Sequence, residues 1–205
     1  LRLLVEGIQR TQRMLSEADK SRLAAFYAPY VKGSSDQYSY KVKGVEANSN
    51  HLQAVGKTMQ SLLEELEASY AEESAYQVLA RLFSEHFKLV EKEPKLKEKE
   101  EISSGSLQSV DDLEASYRKK AGKSYRGYVA NITETCDPEN KIQLVTAVQV
   151  EPNNVDDDKM LAAVLPELKK RTNVEKIYLD GGYGGEESDP ILEDLSVETI
   201  QTAIR

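Results

Sequence analysis

The chain is poor in the residues that disulfides and zinc sites need. Its 205 residues include one cysteine, Cys136, and two histidines, His51 and His86. A single cysteine excludes an internal disulfide and fits a reducing cytosol. Three such residues also argue against a zinc site built from cysteine and histidine ligands. Any metal would be held by carboxylate oxygens, which favours Mg²⁺, Mn²⁺ or Ca²⁺.

Long apolar runs and an excess of positive charge are also missing. No run approaches the roughly 18 apolar residues that a membrane span requires, and no signal-peptide pattern is present. We therefore expect a cytoplasmic protein that does not act on a membrane. The formal net charge of −8 argues against a generally basic nucleic-acid binder. A local basic patch remains compatible with that charge.

The first part of the chain has apolar residues at helical spacing, and we predict an all-helical N-terminal region over residues 1–90. His86 lies at the edge of an apolar helix face, where we expect a structural histidine. Residues 33–44 are polar and rich in tyrosine, which predicts a loop or a small hairpin. In this segment Tyr38 and Tyr40, beside two lysines, either stack on bases or pack on the helices. The apolar residues that carry the helical pattern include Leu4, Ile8, Leu15, Leu23, Leu52, Val55, Met59, Leu62 and Leu66.

A change of pattern follows. Residues 91–102 are almost entirely lysine and glutamate around Pro94, which predicts a solvated charged linker. Beyond it, residues 103–205 predict a second, mixed domain. One short strand is expected to end at Asp111 or Asp112. The elements expected after it are a hairpin of residues 128–135 and 142–150, a helix over 159–170, a strand ending at Asp180, a short helix near 191–195 and a last strand from Val197.

Asp180 stands where a predicted strand breaks into a run of glycines. The strand holds the backbone rigid, and the glycines leave room for a ligand to approach the carboxylate. The same pattern also suits an ordinary turn. A helix between two strands favours parallel neighbours, and ligands bind beyond the carboxyl ends of such strands. Asp180 is therefore a candidate ligand-binding acid.

One carboxylate holds a divalent metal poorly, so a second acid is required. Asp112, with Asp111 as its rival, would supply it from the first strand, and the cation would then polarise a phosphodiester. Asp157, at the start of a helix, is interpreted as a cap, with a metal role as the alternative. A basic cluster next to the first strand would neutralise substrate phosphates, or would be a solvated loop. That basic cluster consists of Arg118, Lys119, Lys120, Lys123 and Arg126.

Four ordered motifs resemble the DDE-type transposases of bacterial insertion sequences. They are the segment from Ser106 through Asp112 into the basic cluster, the strand that opens with Gly127-Tyr128, the block Asn154-Val-Asp-Asp157, and Leu179-Asp180-Gly-Gly-Tyr183. The resemblance implies a ribonuclease H-like fold of the α+β or α/β class, with a mixed sheet flanked by helices. It makes residues 103–205 the catalytic core and gives the helical region a role in DNA binding or assembly.

The resemblance also implies a mechanism. Two aspartates and a glutamate would bind Mg²⁺, or Mn²⁺, for hydrolysis at transposon ends and for attack of the freed 3′-hydroxyl on target DNA. Asp112 and Asp180 match the two aspartates as catalytic and metal-binding residues, and Tyr183 is expected to pack the turn. The partners implied are transposon-end and target DNA, with self-association on DNA.

The third acid is the departure from the family pattern. It belongs on a helix after the last strand, so we expect it outside these residues and expect the chain to be a truncated piece that is inactive alone. Four glutamates near the end match no motif and are left unassigned. One alternative is a non-catalytic DNA-binding or assembly module derived from a transposase. Another, a metal-dependent phosphohydrolase, explains Asp180 and the glycines but not the basic cluster. The unassigned residues are Glu186, Glu187, Glu193 and Glu198.

Overall fold

The computed structural model describes residues 1–31, 40–120 and 122–202, without the side chains of residues 31, 40–47 and 202. It divides into two compact units, Leu1–Glu114 and Ala115–Arg205. The predicted tyrosine-rich loop falls largely outside the described residues, and its last part belongs to a helix that begins at Tyr40. In the described ranges, no helix combines the length and apolarity needed to cross a membrane.

The first unit is built on amphipathic helices, as predicted. Along α1 and α4 the buried residues follow each other three or four positions apart, so each helix turns one apolar stripe to a shared core. On α4 that stripe consists of Val55, Met59, Leu62 and Leu66, each less than 1% exposed. The helices are α1 (Arg2–Met14), α2 (Glu17–Arg22), α3 (Ala24–Val31), α4 (Tyr40–Tyr70) and α5 (Ser74–His86).

The prediction of a solvated linker over residues 91–102 is wrong. The chain forms a two-stranded antiparallel hairpin, β1 (Phe87–Val90) with β2 (Glu93–Leu96), and then a short 3₁₀ helix, Lys99–Glu101. Glu91 and Lys92 both have positive φ angles, 54° and 68°, which is the backbone of a tight two-residue hairpin turn. The hairpin packs on α4, where Gln53 donates a hydrogen bond to the carbonyl of the buried Pro94.

Residues 102–114 also fold with the helices. Leu107 and Val110 enter the core of the first unit, at 1% and 7% exposure. The Leu107 N–H donates to Glu85 Oε2 at 2.8 Å, and Arg81 Nη2 donates to the Gly105 carbonyl at 3.2 Å. The boundary between the units therefore follows Glu114, whereas the sequence placed it at residue 103.

The second unit contains two small sheets. Strand β4 (Lys123–Glu134) pairs antiparallel with β3 (Ser116–Lys120) on one side and with β5 (Val145–Pro152) on the other. The predicted hairpin of β4 and β5 is confirmed, including its turn, where the Asn140 N–H donates to the Asp137 carbonyl. Strand β6 (Lys176–Asp180) pairs in parallel with β7 (Glu198–Thr202), as predicted.

Helices α6 (Asp157–Thr172) and α7 (Asp189–Asp194) cover β6 and β7. The α6 helix ends on Asn173, which adopts the left-handed conformation that terminates helices. The expected α+β fold with a helical N-terminal region is confirmed. The described strands of the second unit do not, however, join into one hydrogen-bonded sheet, because a cavity of about 810 Å³ separates β4 from β6. The core residues of this unit are Leu161, Leu165, Leu168, Ile177, Leu179, Leu192 and Val197.

Gly56 tests the packing of the hairpin on α4. A methyl group on Gly56 would lie 2.5 Å from Cε1 of the buried Phe87 ring. We expect Gly56→Ala to lower the free energy of unfolding by about 1–2 kcal/mol, because overpacking exceeds the gain of about 1 kcal/mol in helix propensity. In a Phe87→Leu background the loss should shrink. Urea denaturation of the unaltered protein, the two single variants and the double variant measures these free energies. A Gly56→Ala protein that is more stable than the unaltered one would contradict the packing.

His86 predicts a pH dependence of stability. Its Nδ1 lies 3.0 Å from the Leu82 carbonyl, and burial lowers the pKa of the imidazole below its usual value. The unfolded chain therefore binds a proton more readily, so this contribution to stability is full above about pH 6.5 and is lost as pH falls through the folded pKa. His86→Gln should reduce the slope of the free energy of unfolding between pH 7.5 and 5.5. Identical slopes in the two proteins would argue against this.

Candidate active site

Asp180 ends strand β6 as predicted. Ile177 and Leu179 point into the core, and Asp180 lies exposed at the carboxyl end of the strand. Its Oδ1 accepts a hydrogen bond from the Gly182 N–H at 2.9 Å. The turn thus fixes the carboxylate close to the glycines that follow it.

A second carboxylate, Asp157, meets Asp180 at Gly182. A methyl group added to Gly182 would lie 3.1 Å from Asp157 Oδ2 and 3.2 Å from Asp180 Oδ1. Because both oxygens lie near this one point, they are no more than 6.3 Å apart. Asp157 is the first residue of α6 and is 9% exposed, so its carboxylate is held in a largely dry setting. A side chain at position 182 would crowd both carboxylates, whereas glycine does not.

Two cations of strand β3 approach Asp157. Arg118 Nη1 lies 3.7 Å from Asp157 Oδ1, and Lys120 Nζ lies 4.0 Å from Asp157 Oδ2. The buried Ser116 holds β3 in this place, because its hydroxyl donates to Asn153 Oδ1 and accepts from the Asn154 N–H. The two asparagines lie four and three residues before Asp157, so Ser116 joins β3 to the segment that leads into α6.

The hairpin of β3 and β4 divides the basic cluster between two faces. Side chains alternate along a strand, so Arg118 and Lys120 share the face that approaches Asp157, and Lys119 points the other way. In the register of the hairpin, Lys123 pairs with Lys120 and Arg126 pairs with Tyr117. Lys123 therefore lies on the acid-facing side, and Arg126 lies on the opposite side with Lys119. The cluster thus lies on a strand hairpin and not on a loop, and most of its side chains are exposed to solvent.

Tyr183 packs the turn, as predicted. Its ring contacts the core of the second unit, and its N–H donates to the Asp180 carbonyl at 3.3 Å. Burial raises the pKa of the Tyr183 phenol, and the nearby charges of Asp157 and Asp180 raise it further. The phenol thus remains protonated beside the acid pair, the name used here for Asp157 and Asp180.

The three consecutive aspartates at the start of α6 differ in role. Asp156 occupies the cap position, but its side chain makes no capping hydrogen bond. Asp157 belongs to the acid pair. Asp158 accepts hydrogen bonds from the Ser188 hydroxyl and from the N–H groups of Glu187 and Ser188.

Asp112 and Asp111 belong to the first unit. The expectation that a strand ends at them is wrong, since residues 102–115 contain no strand. Ser109 Oγ accepts from both of their N–H groups, and Asp112 Oδ1 accepts from the Glu114 N–H, so local side-chain bonds replace a strand ladder. Asp111 forms an exposed ion pair with Arg10 at 2.6 Å, whereas Asp112 is half-buried.

The acid pair fits a hard divalent cation. Mg²⁺ is often bound through one or two carboxylates, with waters and substrate phosphates completing its coordination. Asp157 and Asp180 offer two such carboxylates around an open space. No group of three or more histidine, cysteine, aspartate or glutamate side chains suited to a metal occurs within the described ranges.

Sequence reasoning preferred a capping role for Asp157 because an acid at a helix start usually has one. A signal was present, since α6 begins beside the carboxyl end of β6, which is where ligands bind in such sheets. It did not separate Asp157 from its two neighbours. The rotation of the helix start decides which aspartate lies beside Asp180. Ser116 bonds to the two asparagines shortly before that start.

Comparison with protein families is consistent with this geometry. A family model described as a transposase DDE domain matches residues 94–205, which is more than half of the chain. Neither the curated proteins nor the solved structures include a match. The match spans β2, the acid pair and the basic hairpin, and it confirms the resemblance carried by the four motifs. The chain belongs to the DDE transposase family.

Proposed function

We propose that this chain acts in a DNA transposase that cuts and joins strands at transposon ends with Mg²⁺ or Mn²⁺. The observation that supports it best is the acid pair of Asp157 and Asp180, with Arg118 and Lys120 beside it. A passive DNA-binding surface has no need of two carboxylates that lie close together. The proposed setting is the cytoplasm, with self-association on the DNA.

Each residue has a role in this proposal. Asp157 and Asp180 would hold the cation, which when bound supplies a Lewis acid for the phosphodiester. Gly182 keeps the space between them clear, and its N–H orients the Asp180 carboxylate. Tyr183 packs on the core and holds the turn in place. Asp112 stays the proposed first acid of the family motif.

The acid-facing side of the hairpin is proposed to bind the DNA backbone. Arg118, Lys120 and Lys123 lie on one face, so a phosphate bound there would lie close to the acid pair. Lys119 and Arg126 would contact other phosphates of the same duplex from the opposite face. Cations that contact the backbone position the substrate but do not select its sequence.

Substitution of the acids tests the proposal. In the full-length protein, Asp180→Asn and Asp157→Asn should each reduce cleavage of a nicked transposon-end duplex by more than about a hundredfold. That magnitude is expected because even residues that only support metal ligands contribute about 10–100-fold. Asp112→Asn should be inactive as well. Strand cleavage with Mg²⁺ and with Mn²⁺ is the measurement.

Neighbouring acids supply the controls. Asp156→Asn and Asp111→Asn should retain activity, because Asp156 makes no capping bond and Asp111 is paired with Arg10 on the surface. Cleavage that persists in Asp180→Asn would reject the site. A protein that binds transposon ends but never cuts would favour the alternative assembly module. The 205-residue chain alone is proposed not to cut, since none of its glutamates matches the third acid.

Salt dependence tests the two faces of the hairpin. Lys120→Gln should weaken DNA binding about equally on all sequences and should reduce the slope of log K against log salt by about 1. Lys119→Gln, on the opposite face, should weaken binding to a similar extent and is therefore the matched control for cleavage. We expect Lys120→Gln to lower the rate of cleavage of bound DNA as well, and Lys119→Gln to leave it unchanged. Equal effects of the two changes on cleavage would contradict the assignment of faces.

A further inference from the structure

A hydrogen-bonded link joins the start of α6 to the loop that follows Asp180. The Asp158 carboxylate accepts from the N–H groups of Glu187 and Ser188, at 3.1 Å and 3.0 Å, and from the Ser188 hydroxyl. The Ser188 hydroxyl also lies 3.0 Å from the Tyr183 carbonyl. Ser188 is completely buried, whereas Asp158 is half-buried and Glu187 is exposed.

The link closes a ring through the acid pair. Asp157 and Asp158 are adjacent on α6, and Ser188 contacts Tyr183 three residues after Asp180. Tyr183 in turn donates from its N–H to the Asp180 carbonyl. The separation of the two acids is thus fixed by covalent bonds at one end of the ring and by hydrogen bonds at the other.

The loop within the ring is also held by the Tyr183 ring on the core and by the Gly182 N–H on Asp180, but four glycines leave the rest of its backbone free. It contains Gly181, Gly182, Gly184 and Gly185, and glycine has the greatest backbone freedom of any residue. Gly185 approaches the Asp158 carboxylate so closely that a methyl group there would lie 2.5 Å from Oδ2. Loss of the link would free this segment while the cores of both units stayed intact.

We propose that Asp158 and Ser188 are positioning residues that set the separation of Asp157 and Asp180 for a divalent cation. This inference rests on the proposed function, because it assumes that the acid pair binds the cation. Neither residue touches the cation or the DNA. Each acts through the acid next to it, Asp158 on Asp157 and Ser188 on the turn of Asp180.

Metal affinity is the readout that separates positioning from mere stability. Mn²⁺ binding to the full chain is measured by titration calorimetry and by electron paramagnetic resonance, well below the unfolding temperature of each variant. Ser188→Ala and Asp158→Asn should each raise the dissociation constant about tenfold, which is within the range for residues that support metal ligands. Because both belong to one link, the double variant should be no weaker than the worse single variant. Ser188→Thr, which keeps the hydroxyl, should recover part of the loss.

Two controls complete the design. Leu168→Ala removes a core side chain at the far end of α6 and should lower stability without changing Mn²⁺ affinity. Asp156→Asn removes an equal charge next to Asp157 and should change the affinity far less than Asp158→Asn. If Ser188→Ala fails to fold, Asp158→Asn, which keeps the size and one acceptor oxygen, carries the same test.

The outcomes separate the two proposals. Binding that is lost in Asp180→Asn but unchanged in Ser188→Ala and Asp158→Asn would overturn the positioning roles and leave the metal site standing. Binding that is unchanged in Asp180→Asn, or no binding by the unaltered chain, would overturn both. An affinity loss in Leu168→Ala equal to that in Ser188→Ala would show that the effect is only one of stability, and it would also overturn the positioning roles.

Discussion

Repulsion between two carboxylates is the constraint on which the second unit depends. Two unit charges of the same sign 4 Å apart repel by about 4 kcal/mol at an effective dielectric constant of 20, and the repulsion falls as the distance grows. The fold offsets this repulsion locally, with the cations of Arg118 and Lys120 near Asp157 and the Gly182 N–H on Asp180. A site that brings acids together in this way gains more from a bound cation than one whose acids are far apart.

The contacts that hold Asp157 and Asp180 in place come from different parts of the second unit. Ser116 joins β3 to the residues before α6, and the packed face of β6 sets the direction in which Asp180 emerges. The first unit follows another logic, in which stripes of apolar residues on long helices share one core. The segment of residues 102–114 joins that core through Leu107 and Val110, even though its sequence belongs to a motif of the transposase family.

The sequence predicted the elements better than their connections. The alternation around Ile177 and Leu179 and the helical stripe of α4 are local patterns, so the strand and the helices could be located. The hairpin after Phe87 could not be predicted, because its Lys and Glu residues carry no strand signal and its stability comes from Pro94 packed against α4. The closeness of Asp157 to Asp180 could not be predicted for a similar reason. Which of three adjacent aspartates turns inward depends on a contact between distant segments.

The three aspartates at the start of α6 have a consequence for how this site tolerates change. Successive residues of a helix are separated by about 100° of rotation, so each aspartate faces a different environment. A deletion of one residue before Asp156 would keep every acid, the net composition of the segment and its helix propensity. It would nevertheless present another carboxylate to Gly182 and break the bonds to Ser188. An alignment that scores only acidic character at this position would therefore treat two different arrangements of the carboxylates as equivalent.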